Sequence, residues 1–215
     1  MAREHIVEQG ECLGAIASKY GFGDPRLLYD HPDNAELKRM RPDPNVLFPG
    51  DRVVVPDVVG KTVSARTGSS HVFKVQRAQR VLRLRVLGPD GKALGGARYS
   101  LEFTSASRVE GQTGADGAIE HPVPPGSPEA RLEVSGYRMR LRFGYLNPLR
   151  ETPDDGVSGA QARLQNLGYV VPQVTGTLDD ATRVALATFQ ADNDLPVDGE
   201  LTEQTISKLE EVHGC

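Results

Sequence analysis

The chain has 215 residues, with 25 Lys and Arg against 29 Asp and Glu, a formal net charge of −4, no tryptophan and 6% aromatic residues. This length leaves room for one to three small domains. Two cysteines, Cys12 and Cys215, exclude a disulfide framework and a cysteine-rich zinc site. No apolar run approaches the ~20 residues needed to span a bilayer, so membrane insertion is not expected. The first residues lack the apolar core of a secretory signal, which predicts a chain that is cytoplasmic as synthesised.

Charge divides the chain into three. Residues 1–57 carry 7 basic and 10 acidic side chains, residues 58–150 carry 15 and 7, and residues 151–215 carry 3 and 12. The segment charges are therefore −3, +8 and −9, which argues for three physically distinct modules. The fold class expected is multidomain α+β.

In the first module His5-Ile6-Val7 is a short apolar stretch and Gln9-Gly10-Glu11 a turn. Leu13, Ile16, Ala17 and Tyr20 then share one helical face that ends at Gly21. A second helical segment covers Pro25 to Tyr29, and a Pro- and Asp-rich stretch with one more helical turn at Ala35–Met40 follows. Leu47-Phe48-Pro49-Gly50-Asp51 is a turn into the strand Arg52–Val55. HIVEQGECLGAIASKYG and LFPGDRVVVP resemble the two ends of a LysM domain, a βααβ fold; the stretch between Tyr29 and Asn45 is longer than that family's usual loop. The resemblance implies a shallow groove for N-acetylglucosamine-containing glycans. Carried onto this sequence, it would involve Gly10, Glu11, Cys12, Leu13, Leu47, Phe48, Pro49 and Gly50.

The second module alternates apolar and basic residues in VLRLRVL from Val81, turns at Gly88-Pro89-Asp90-Gly91, and continues with strands at Ala97–Phe103, Ala130–Val134 and Arg138–Phe143. Short strands at regular spacing with turn signals predict a β-sandwich. The run VLGPDGKALGGARYSLEF and its continuation resemble the transthyretin-like, carboxypeptidase-regulatory-like sandwiches, which implies a spacer or interaction surface. Arg138, Arg140 and Arg142 give one strand a basic face. This reads as a solvated face or as a docking surface for an acidic partner. Nucleic acid is not expected, since no aromatic platforms interleave with the basic residues.

The third module has three amphipathic segments, at Gly159–Gly168, Asp180–Ala191 and Thr202–Val212, with Thr177 or Asp179 as a cap for the second. These predict a small three-helix bundle. ARLQNLGY followed by TGTLDDATRVALATFQADNDLPVDGELTEQTISKL resembles the three-helix peptidoglycan-binding domain often attached to cell-wall hydrolases. That family's D-G-x-[FY]-G turn is here Val174-Thr175-Gly176-Thr177-Leu178-Asp179. Most matching residues make turns or core. Gln165, Asn166, Tyr169, Gln190 and Asp198 are the candidate ligand contacts.

Catalytic patterns are weak. His5, His31, His71, His121 and His213 form no metal-binding pair, and Ser100, Ser105 and Ser107 sit in no nucleophile elbow. Cys12 opens a helix with no His or Asn placed beside it, and the acidic loop from Asp192 lacks the glycine of an EF-hand. No cofactor, metal or catalytic residue is expected. The reading that results is a non-catalytic peptidoglycan binder with two end modules on a sandwich spacer; the three-module layout without a secretory signal resembles proteins associated with contractile injection systems such as type VI secretion, which implies delivery by such a system. The alternative is an adaptor within such a spike or for its effector, and the third an accessory to a cell-wall hydrolase. The three domains are expected at 1–57, 58–150 and 151–215.

Overall fold

The computed structural model describes residues 3–57, 64–72, 80–106, 108–124 and 126–214; Ser107 and Cys215 lie outside the described residues, as does much of the stretch joining the first two modules. In the first module β1 (Arg3–Ile6) pairs antiparallel with β2 (Arg52–Val55), Arg3 opposite Val55 and Ile6 opposite Arg52. Between them run α1 (Leu13–Lys19), α2 (Arg26–Tyr29), a 3-10 turn at Pro32–Asn34 and α3 (Ala35–Met40). The helical turn expected within the insertion at Ala35–Met40 is present as α3, so the βααβ order of the resemblance carries one further helix. Leu37 of α3 joins Leu13, Ile16, Ala17, Leu28 and Leu47 in a core against Val53 and Val55 of β2. Asn34, 1% exposed, fixes the insertion to that strand. Its amide donates to the Leu28 and Val54 carbonyls, and its side-chain oxygen accepts the Val54 N–H at 2.7 Å. Those bonds satisfy groups that burial would otherwise leave unpaired.

The second module has two antiparallel sheets among the described residues. One pairs β3 (Arg80–Arg85) with β6 (Ala118–Val123); the other has the order β5-β4-β7-β8, from β4 (Arg98–Phe103), β5 (Val109–Gln112), β7 (Glu129–Val134) and β8 (Tyr137–Arg142). Period-two alternation sends Leu101, Phe103, Leu132 and Val134 inward to meet Ile119 and Val123 from the smaller sheet. The two sheets therefore share one core, as in a sandwich.

The third module consists of α4 (Val157–Asn166), α5 (Asp180–Asp192) and α6 (Glu203–His213). Leu164, Leu186, Phe189 and Leu209 are fully buried at its centre, and Leu149, ahead of the first helix, belongs to the same core. Asp179 accepts the Thr182 N–H and caps α5, and Thr202 accepts the Thr205 N–H and caps α6.

The modules are not strung loosely. The segment 144–151 that leaves β8 runs along the first module. Arg41, 3% exposed, forms a two-pronged ion pair with Asp51, at 2.8 and 3.0 Å, and also donates to the main-chain carbonyls of Arg150 and Glu151. Arg39 adds an exposed pair to Glu151, and Gln9 reaches Asn147 at 3.4 Å. Gly10 (φ +94°) packs against the Tyr145 ring, where a Cβ would stand 3.1 Å from a ring carbon. From the other side, Arg150 pairs with Glu203 and Glu210 of α6.

Candidate functional site

Two buried glutamines set the shape of the third module. Gln190, at the end of α5, donates to Asp198 Oδ1, the Glu200 carbonyl and Thr205 Oγ1, and its oxygen accepts the N–H groups of Asp198 and Gly199. Gln161, in α4, donates to Thr175, Thr182 and the Thr177 carbonyl and accepts the N–H groups of Thr175 and Gly176. The same device occurs twice: a helix amide locks the turn that opens a later helix, with the sequence Gly-x-Leu-[Asp/Thr]-x-x-Thr at Gly176–Thr182 and again at Gly199–Thr205. This corrects the expected role of Gln190. It is 1% exposed with its amide fully used, so it holds the turn and presents nothing to a ligand. Asp198 is exposed, but one carboxylate oxygen accepts from Gln190 and from the Glu200 N–H. These bonds, the Glu200 N–H first, hold its carboxyl below the usual range.

The remaining candidates gather at the C-terminal end of α4. Asn166 is exposed, with Nδ2 3.1 Å from Nε2 of His213 at the end of α6. Gln165 is half-buried and donates to the Val171 carbonyl at 2.6 Å. Tyr169 sits edge-on to Phe189, ring centroids 5.6 Å apart, and its hydroxyl donates to Asp192 at 3.1 Å. Burial, aided by the adjacent Asp192 carboxylate, pushes the Tyr169 hydroxyl up to about 12, so it stays a donor at any ordinary pH. Near the C-terminal end of α4, Asn166 thus offers a polar group toward His213, and Tyr169 with Asp192 a separate hydroxyl–carboxylate pair toward the end of α5.

In the first module the antiparallel pairing brings residues 8–11 and 47–51 to one end of the two-stranded sheet, where Val7 donates to the Asp51 carbonyl and Gly50 to the Val7 carbonyl. Of the residues expected there, Leu13 (0% exposed) and Leu47 (2%) are core and Cys12 (5%) is buried at the start of α1. Their side chains are corrected from groove to interior, because the helix face and the strand approach close over them. Glu11, Phe48 and Pro49 are half-buried, Gly10 rests under Tyr145, and Gly50 is exposed. Glu11 accepts from His5 Nε2 at 2.6 Å and from the Glu8 N–H, and Lys19 lies 3.4 Å away. Burial raises its carboxyl, but these partners outweigh it and the net movement is down. His5, 7% exposed, also contacts the Tyr20 hydroxyl at 3.2 Å. Tyr145 and Asn147, which border this end, carry no local pattern that marks them in the sequence.

Arg138, Arg140 and Arg142 of β8 are exposed. Arg140 pairs with Glu129 and Arg138 lies near Glu133, both on β7, while Arg142 stacks over Tyr145. Among the described residues no group of three His, Cys, Asp or Glu side chains is placed to hold a metal ion. No described helix is long and apolar enough to cross a membrane.

A family model, the peptidoglycan binding domain, matches residues 142–209. The match spans the end of β8, the connecting segment and nearly all of the three-helix bundle. No curated protein and no solved structure matches the chain. Residues 142–209, and with them most of the third module, are therefore similar to a peptidoglycan-binding domain.

Proposed function

We propose that this protein is a non-catalytic binder of bacterial cell-wall glycan whose third module makes the primary contact through Asn166, Tyr169 and Asp192. The observation that carries this is the match to the peptidoglycan-binding family over the bundle, on which Asn166 and the Tyr169–Asp192 pair present polar groups near the ends of α4 and α5. Hydrogen-bond donors and acceptors on rigid helix ends suit a sugar or stem peptide rich in hydroxyl and amide groups. The first module adds a second contact for N-acetylglucosamine-containing glycan through Glu11, Phe48, Pro49 and Gly50, a reading supported by its resemblance to LysM domains and by the placement of both loops at one sheet end. Delivery to the wall by a contractile injection system completes the reading.

Sedimentation of the full chain with washed peptidoglycan sacculi tests it. Wild type is retained, and Asn166→Ala combined with Tyr169→Phe lowers retention at unchanged helical content. Release of soluble wall fragments by the pure protein overturns the non-catalytic assignment. No retention at any salt concentration, with co-purification on a secretion spike, leaves the adaptor reading in its place.

A further inference from the structure

Among the described residues strand β8 is one of the two edges of the four-stranded sheet, and five of its six residues are exposed. Its register with β7 fixes which main-chain groups are used. Phe143 donates to the Pro128 carbonyl, and Leu141, Met139 and Tyr137 lie opposite Ala130, Leu132 and Val134. Antiparallel hydrogen-bonded pairs alternate, so the N–H and C=O groups of Arg138, Arg140 and Arg142 point to the outer edge. The described residues place no strand against them. The side chains alternate too, three arginines on one face and Tyr137, Met139 and Leu141 on the other. Tyr137 is 47% exposed and Met139 37%, whereas the residues across from them, Val134 and Leu132, are each 1% exposed. The smaller sheet thus covers β7 and stops short of β8.

We propose that β8 accepts an extended, acidic strand from a partner protein as a fifth strand of this sheet. Main-chain bonds to Arg138, Arg140 and Arg142 supply the pairing, and acidic side chains opposite the arginines set the partner's charge. The sheet already shows this complementarity once, where Glu133 and Glu129 of β7 lie opposite Arg138 and Arg142. Apolar residues at the alternate positions of the incoming strand continue the row of Tyr137 and Met139. A second copy of the chain is excluded by the same geometry, because antiparallel β8–β8 pairing sets arginine opposite arginine, and facing like charges repel.

A fluorescent peptide of alternating glutamate and valine, titrated with the full chain and read by anisotropy, tests the proposal. The expected result is saturable binding that weakens at least tenfold when alternate peptide amides are N-methylated, since the charge is kept and the strand edge is lost. A lysine–valine peptide is expected not to bind. Equal binding of the plain and N-methylated peptides shows charge attraction alone and overturns strand addition. Absence of binding by the glutamate–valine peptide at low salt, or a concentration-dependent dimer that blocks it, overturns the proposal as well.

Discussion

At the scale of single residues, the polar groups of the third module divide into those that build and those that face outward. Gln190 builds. Replacing it with Leu keeps its volume but strands the N–H groups of Asp198 and Gly199, so a loss of about 2–4 kcal/mol is expected in urea unfolding. Asn166→Ala, at an exposed position, is expected to leave stability within ~0.5 kcal/mol while lowering wall retention. Asp154, ahead of α4, adds a pH dependence. Burial raises its carboxyl, but hydrogen bonds from Ser158, Thr152 and the main-chain N–H groups of Ser158 and Gly156 prevail and hold it below its ordinary value. A carboxyl depressed by folding stabilises above its unfolded value, near about 3.9, and loses that contribution as pH falls through the folded one. Thermal unfolding followed from pH 5 downward should show falling stability in the wild type. Asp154→Asn should begin lower and fall less.

At the scale of elements, local chemistry and close packing make opposite demands on α4. Gly159 lies in its first turn, where alanine ordinarily stabilises a helix by about 1 kcal/mol. Here a Cβ would run into the main-chain carbonyl of Pro148 and stand 2.7 Å from that of Asn147. Gly159→Ala is therefore expected to destabilise by about 1–3 kcal/mol in thermal unfolding followed by circular dichroism. The same tension explains what the sequence showed. The 3.6-residue pattern of Leu13, Ile16 and Ala17 marks α1, and Asp179 with Thr182 marks the start of α5, because those signals are local. Strands β5 and β6 escape such reading. β5 is four residues long with Gly111 inside it, and β6 contains Pro122, which pattern reading takes as a strand breaker. Pairing with β4 and β3 supplies what their own propensity lacks. Residue type in the sequence marks Asn166 and Tyr169, the two positions that the proposed contact retains. Burial was not legible: Gln190 and Asp198 are both polar in sequence, yet tertiary structure closes over Gln190 and leaves Asp198 exposed.

At the scale of the whole molecule, the contact between the first module and segment 144–151 leaves no trace in the sequence. Arg41 stands in a Pro- and Asp-rich insertion, and the carbonyls it holds are more than a hundred positions away. Its guanidinium makes the two-pronged bond to Asp51 with one part of its fork and reaches the carbonyls of Arg150 and Glu151 with the rest. Both charges are buried, with side-chain exposures of 3% and 7%. Removal of one partner from such a pair leaves an uncompensated charge and costs about 3–5 kcal/mol. Arg41→Ala should therefore weaken the first module and at the same time free it from the segment that leads into the bundle. In scanning calorimetry of the full chain, the wild type is expected to unfold the first and third modules together, through the shared 144–151 segment. Arg41→Ala should separate an earlier transition of the first module from a later one of the bundle. Arg41→Lys keeps the charge but lacks the planar fork, and should fall between the two. Limited proteolysis of Arg41→Ala should also open the chain within 144–151, where Tyr145 and the carbonyls of Arg150 and Glu151 are no longer covered. A single unshifted transition in that variant, with no new cleavage there, would show that the two modules stay joined without this arginine.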